Sequence, residues 1–228
     1  MISIIIPTYN EAENIIQLVQ FLKDNSNGLV NEIIVSDGGS NDNTLDLAQN
    51  VGAKAIVSPK KGRANQMNYG ALQSTGSLLY FIHADSFPPA SFAQDLVNCL
   101  NENFNCGRYR TKFDRSNLLL KFNEFFTRFD WFVCYGGDQT FFITKTLFEK
   151  IGGFKSDMRI MEDYEIVVRA KEQGHYKIIP KAALISARKY KNNSWIRVQL
   201  ANYKIIQMFH KGASQIEMVM TYKKLLNP

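Results

Sequence analysis

The sequence predicts an α/β protein built on a mostly parallel, doubly wound sheet. Three observations lead there. Four short apolar runs alternate with three amphipathic segments over residues 1–88, in the order β-α-β-α-β-α-β. The first run, residues 2–6, is unbroken and rich in isoleucine, as a strand covered on both faces requires. Polar residues (Thr8, Asp37 and Asp85) stand at the ends of three runs, where ligands of such sheets bind.

Each element has its own signal. Pro7 ends the first strand. Asn10 followed by Glu13 predicts a capping box opening a helix whose buried stripe is Ile15, Leu18, Val19 and Leu22. Residues 32–36 read as the second strand, 37–44 as a polar, glycine-containing loop, and 44–50 as a helix closed by Gly52. Strand 53–57, helix 64–73 and strand 78–83 follow, and Pro88-Pro89 suits the first turn of another helix. Beyond it the pattern predicts a strand at 109–113, an aromatic-rich helix over 117–134, a strand at 140–144 and a helix over 162–173. Two more helices, broken near Gly212, occupy 194–228. With no internal repeat or flexible linker, the expectation is one domain over 1–228. Residues 1–88 form one half, 89–190 a smaller mixed lobe, and 191–228 a helical tail.

Composition narrows the partners. The net charge of +6 favours an anionic one: a phosphorylated small molecule, nucleic acid or an acidic membrane surface. No nucleic-acid recognition motif appears, and the basic residues are dispersed. Cys99, Cys106 and Cys134 lack the spacing of a disulfide framework or a zinc site. The N-terminal run reads as a buried strand rather than a signal peptide, and no apolar stretch has the length of a membrane span. The expectation is therefore a cytoplasmic protein with possible access to the inner membrane face.

The G-x-G-x-x-G turn and the P-loop are both missing, so a phosphorylated ligand needs another device. A divalent metal on a carboxylate is one. Asp85, after the strand at 78–83, suits Mn²⁺ or Mg²⁺, or else serves as a turn residue ahead of the prolines. Asp37 can accept from a nucleobase or ribose, or close an Asx-turn in its own loop.

Four segments, in order, resemble glycosyltransferase family 2. They are Ile-Ile-Pro-Thr-Tyr-Asn-Glu from Ile5, Val-Ser-Asp-Gly-Gly-Ser from Val35, Gly-Arg-Ala-Asn-Gln-Met-Asn-Tyr-Gly-Ala from Gly62, and Met-Glu-Asp-Tyr from Met161. The match is closest to the family's compact bacterial members and implies the GT-A fold. It also implies that Thr8, Asn10, Glu11, Asp37, Gly39, Arg63 and Asn68 serve a nucleoside diphosphate sugar. His83-Ala84-Asp85 stands at the family's D-x-D motif with histidine in place of the first acid, which leaves Asp85 as the metal ligand. Asp163 takes the place of the general base, and Glu162 that of a residue that orients it or binds the acceptor. Asp138, in Gly-Gly-Asp-Gln, becomes a sugar-hydroxyl ligand, and Arg188 beside Lys189 a counter-charge for the leaving diphosphate.

The resemblance implies an inverting, metal-assisted transfer to a hydroxyl acceptor, either a lipid-linked sugar or a small molecule. Two alternatives remain at this point. One is a binding protein that keeps the pocket without turnover, suggested by His83. The other is a sugar-nucleotide pyrophosphorylase, whose glycine-rich basic loop the first strand lacks. The basic, apolar segment 195–224 either packs on the catalytic lobe or lies on an anionic membrane, and the aromatics of 122–135 either form core or line an acceptor groove.

Overall fold

A computed structural model of the chain describes residues 1–115, 117–136 and 140–226. Strand β1, Ile2–Thr8, is buried at every position and lies at the centre of the parallel half. It pairs in parallel with β2, Val30–Asp37, on one side and with β4, Leu78–Phe81, on the other, while β3, Lys54–Val57, extends β2. Successive side chains of β1 point to opposite faces, as strand geometry demands. Ile4 and Ile6 join the core beneath helix α1, Ala12–Asp24, which carries the predicted stripe of Ile15, Leu18, Val19 and Leu22. Ile5 joins the opposite core, under Met67 and Ala71 of α3, Arg63–Leu72. A Cβ on Gly70 would stand 2.5 Å from Ile5 Cγ2, so glycine is what lets α3 lie this close to the sheet. Helix α2, Thr44–Asn50, completes the crossovers and ends at Gly52, whose φ of 86° suits glycine.

The sheet then reverses. Strand β7, Phe141–Thr144, runs antiparallel to β4 and to β6, Cys106–Phe113. Strand β8, Tyr176–Ile185, lies parallel to β6, and the two-residue β5, Ser86–Phe87, closes the far edge. Among the described residues, eight strands form one sheet, in the order β3-β2-β1-β4-β7-β6-β8-β5. Helices α4, Phe92–Asn101, and α6, Lys145–Lys150, fill the connections; α7, Glu162–Gln173, packs Ile166, Val167 and Ala170 into the second core.

Several expectations about elements need correction. Asn10 is not a helix cap: its φ of 54° is left-handed, its side chain accepts from the Asn41 amide, and α1 starts at Ala12. Residues 117–134 are not one helix. Helix α5, Leu118–Phe126, stops where the buried Arg108 guanidinium gathers the carbonyls of Thr127 and Phe129, and only a short 3-10 turn follows at Phe132–Cys134. Pro88 and Pro89 precede α4, whose cap position is Ser91, rather than opening it. Strand β8 is masked in the sequence by Pro180, which sits at a register shift where the ladder skips from Ile179 to Ala182. The last helices are α8, Trp195–His210, and α9, Gln215–Leu225, and Ile205 and Met218 pack them on Met158 and Met161.

Candidate active site

The site begins where β1 and β2 end. The Thr8 hydroxyl donates to Asp37 Oδ2 at 3.0 Å, and the amides of Gly39 and Ser40 both donate to Asp37 Oδ1 at 2.7 Å. The Ser40 hydroxyl also donates to Oδ2. A fully buried carboxylate with four donors orders the whole 37–41 loop, and the φ of 88° at Gly39 makes the turn possible. The Asx-turn reading of Asp37 is thus realised. A nucleoside reaches this carboxylate only by displacing one of those hydroxyls. Beneath it the buried Gln66 amide donates to the carbonyls of Thr8 and Ser36, holding the two strand ends together. The Asn10 amide donates to the Ser40 hydroxyl, and the Glu11 amide to Thr44 Oγ1, which docks the first loop on the second.

Asp85 and Glu11 meet through a cation. Arg188, on a short turn after β8, places Nε 3.2 Å from Asp85 Oδ2 and a terminal nitrogen 3.0 Å from Glu11 Oε1. The arginine thus reaches from the second half of the chain to the strand ends of the first. Among the described residues no three His, Cys, Asp or Glu side chains stand together as a metal cage. A single carboxylate suits a hard ion that takes its other ligands from phosphate and water, so Asp85 fits Mn²⁺ or Mg²⁺ shared with a diphosphate.

Asn68 is turned elsewhere. Its amide nitrogen donates to the Phe154 carbonyl at 2.7 Å and its oxygen accepts from the Phe154 amide at 2.9 Å, pinning α3 to the loop before α7. Both ends of the Asn68 amide, a residue expected at the nucleotide, are thus engaged by the backbone of Phe154. The adjacent Gly153, with φ of 66°, has no room for a Cβ, which would stand 2.7 Å from Asn68 Oδ1.

The Glu-Asp pair opens α7. Glu162 is 1% exposed, with Arg63 Nε 2.7 Å from its Oε1. Asp163 lines a cavity of about 800 Å³ together with Arg63, and also a small crevice against Pro7 and His83 at the ends of β1 and β4. The acid therefore stands between the sheet's carboxyl edge and the large cavity. Aromatic side chains, including Phe122, Phe126, Trp131, Tyr190 and Trp195, form much of the cavity wall. Arg159, Lys189 and Lys223 add positive charge, and Asp163 is the only acid among the described lining residues. Burial first, then the Asp163 charge, pushes the Tyr164 hydroxyl well above its ordinary pKa, so the neighbouring phenol keeps its proton. Asp138 lies outside the described residues.

Two residues of this site are given no role by the sequence. Met161, at the cap position of α7, is left-handed with φ of 68°, an uncommon conformation for a long side chain. It is held there by Met158, Ile205 and Met218. Gln215 Oε1, at the start of α9, accepts from the amides of Arg159 and Ile160 at 2.9 and 3.1 Å. The C-terminal helices thereby fix the backbone that aims Asp163.

Comparison with known proteins identifies the family. The chain is 28% identical over 192 residues to a PGL/p-HBAD biosynthesis glycosyltransferase of Mycobacterium bovis, covering 74% of this chain and 69% of that protein. It is 31% identical over 96 residues to glucosyl-3-phosphoglycerate synthase of Mycolicibacterium smegmatis, a match that spans 39% of this chain and only 32% of that relative. Among solved structures, the mannosyltransferase PcManGT from Pyrobaculum calidifontis, in complex with GDP-Man and Mn²⁺, superposes with a TM-score of 0.72 at 16% identity, over 98% of this chain and 69% of that one. Glucosyl-3-phosphoglycerate synthase from Mycobacterium tuberculosis, in complex with Mn²⁺, UDP and glucosyl-3-phosphoglycerate, gives 0.65 at 16% identity over 99% of this chain and 80% of that one. At such identities these two share the fold. The sequence model of "Glycosyl transferase family 2" matches residues 3–164, most of the chain and all four signature segments, and the chain therefore belongs to that family.

Proposed function

We propose that the protein is an inverting glycosyltransferase that moves a sugar from a nucleoside diphosphate sugar to a hydroxyl acceptor. The observation that carries this is the position of Asp163, on the wall shared by the strand-end crevice and the large cavity. A donor seated over Thr8, Asn10, Asp37 and Gly39 has its diphosphate toward Asp85, Arg188 and Arg63, while an acceptor fills the cavity. Relatives in complex with GDP-Man or UDP, each with Mn²⁺, support the donor class and the metal.

Asp163 takes the proton of the acceptor hydroxyl as its oxygen attacks the sugar C1. The C1–O bond to the diphosphate breaks on the opposite face, which inverts the anomeric centre. Arg63 and Arg188 meet the charge that develops on the leaving group. A divalent ion on Asp85 supplies further neutralisation there when bound. Glu162, buried against Arg63, holds that guanidinium rather than the acceptor.

Calorimetric titration with UDP-, GDP- and TDP-sugars, with and without Mn²⁺, tests the donor half; one donor binds, and tightly only with metal. Asp163→Asn then tests the chemistry. Turnover falls by about 10²–10⁴-fold, the usual worth of a general base, while donor affinity stays within about twofold. An Asp163→Asn variant with wild-type turnover would remove Asp163 as the base.

A further inference from the structure

The outer faces of α5 and α8 are unusually apolar for exposed helices. Leu118, Leu119, Phe122 and Phe125 stand exposed on α5, as do Ile196 and Leu200 on α8. The helices meet edge to edge: the rings of Phe122 and Trp195 are 6.3 Å apart, and the Trp195 indole donates to Asn123 Oδ1 at 3.3 Å. Contiguous exposed apolar surface of this kind marks an interaction site.

Charge selects the partner. Helix α8 contains Arg197 and Lys204 and no acid over its sixteen residues. Helix α5 contains Lys121, Arg128 follows it two residues on, and both cations are exposed. The single acid of α5, Glu124, is turned inward and accepts from the Phe113 amide at 2.8 Å. The Arg128 guanidinium lies 4.0 Å from the centre of the exposed Phe125 ring, so charge and apolar surface are interleaved rather than segregated. Leucine, phenylalanine and isoleucine standing out beside lysine and arginine are the chemistry of a helix lying in a lipid interface. A contact between two copies would instead set these cations against one another.

We infer that the α5/α8 face docks on the surface of an anionic phospholipid bilayer. No helix among the described residues is long and apolar enough to cross a membrane, so the contact is with its surface. Phe122 and Trp131 line the large cavity while remaining 56% and 51% exposed, so the cavity opens at this face. Resting on the transfer reading, that opening would admit an acceptor whose apolar part lies in the lipid and whose hydroxyl reaches Asp163. Docking itself does not depend on that reading.

Co-sedimentation tests it with two kinds of vesicle, phosphatidylcholine alone and phosphatidylcholine with phosphatidylglycerol. The chain pellets with the anionic vesicles, and raising salt to about 0.5 M releases most of it, because screening shortens the reach of surface charge. Leu118→Asp with Leu200→Asp, at exposed positions away from the cavity wall, lowers the bound fraction on the order of tenfold. Lys121→Gln with Lys204→Gln lowers affinity for anionic vesicles on the order of tenfold, with no effect on neutral ones. Nucleotide-sugar binding without vesicles stays the same in all three proteins, so loss of docking and loss of the donor site are read separately. No pelleting, or equal pelleting with both vesicles, overturns the inference. So does sedimentation velocity in which the wild-type chain is a dimer and the aspartate variant a monomer, since the face would then join two copies.

Discussion

Arg63 Nε stands 2.7 Å from Glu162 Oε1, joining the helix that follows the third strand to the start of α7. One side of this pair is half-exposed and the other is sealed, so the two ends are not equivalent. Removing the arginine leaves a buried carboxylate without its counter-charge, whereas removing the carboxylate leaves a cation that water can reach.

Arg63→Ala should therefore cost about 1–3 kcal/mol of stability in urea unfolding, the price of an abandoned buried acceptor. Arg63→Ala/Glu162→Gln should recover much of that loss, because the neutral amide tolerates burial better. If the double variant is no more stable than Arg63→Ala, the pair is not what keeps Glu162 buried.

Gln215 holds the amides of Arg159 and Ile160 without itself lining the cavity, so it acts as a positioning residue. Gln215→Leu should lower kcat by about tenfold or more, as small displacements of a catalytic group do, with donor Kd unchanged. Gln215→Glu retains an oxygen acceptor and should restore most of kcat. A uniform loss of stability in both variants, with kcat following the folded fraction, would mean that Gln215 is only structural.

Arg188 and a divalent ion would compete for Asp85. Arg188→Ala should bind Mn²⁺ more tightly than the wild-type chain in the absence of nucleotide, by several-fold, read as free Mn²⁺ by electron paramagnetic resonance. Its turnover should fall, since the leaving diphosphate loses a cation. Weaker Mn²⁺ binding in Arg188→Ala would show that the arginine supports the Asp85 site instead of occupying it.

Glu165 gives a pH prediction. Burial alone would raise its pKa, but bonds from Arg169 and Lys155 outweigh burial and hold it below the ordinary 4.5. A depressed folded pKa stabilises the fold above the unfolded value, and that contribution is lost as pH falls through the folded value. Between pH 7 and about 5 the Glu165→Gln variant should melt lower than wild type by a constant margin. Below about pH 4 the margin should close. A margin that stays constant down to pH 3 would exclude the linkage.

The parallel half was legible because its signals are local. A run of isoleucines, a helical stripe at Ile15, Leu18, Val19 and Leu22, and a glycine after α2 each act within a few residues. Helix α7 was readable for the same reason. Strand β8 was not, since Pro180 breaks its pattern and only pairing with β6 makes it a strand. The end of α5 was hidden because the residue that stops it, Arg108, comes from a different strand. At the site, Thr8 joins Asp37 at the strand ends, and Arg63 and Asp163 line one cavity. The Asn68 clamp was not readable, because its partner Phe154 is 86 residues away. Gln215 has no local pattern at all; only tertiary contact gives it a role.

The reversal of the sheet at β7 has a mechanical consequence. Because β4 pairs with β7 and β7 with β6, the parallel half and the later strands share one continuous plate. Movement of one half against the other would have to break that ladder. For the same reason a fragment of residues 1–88 would not be a miniature of the protein. It would expose the naked edge of β4, four apolar residues with unpaired backbone, and such an edge recruits other chains rather than folding alone.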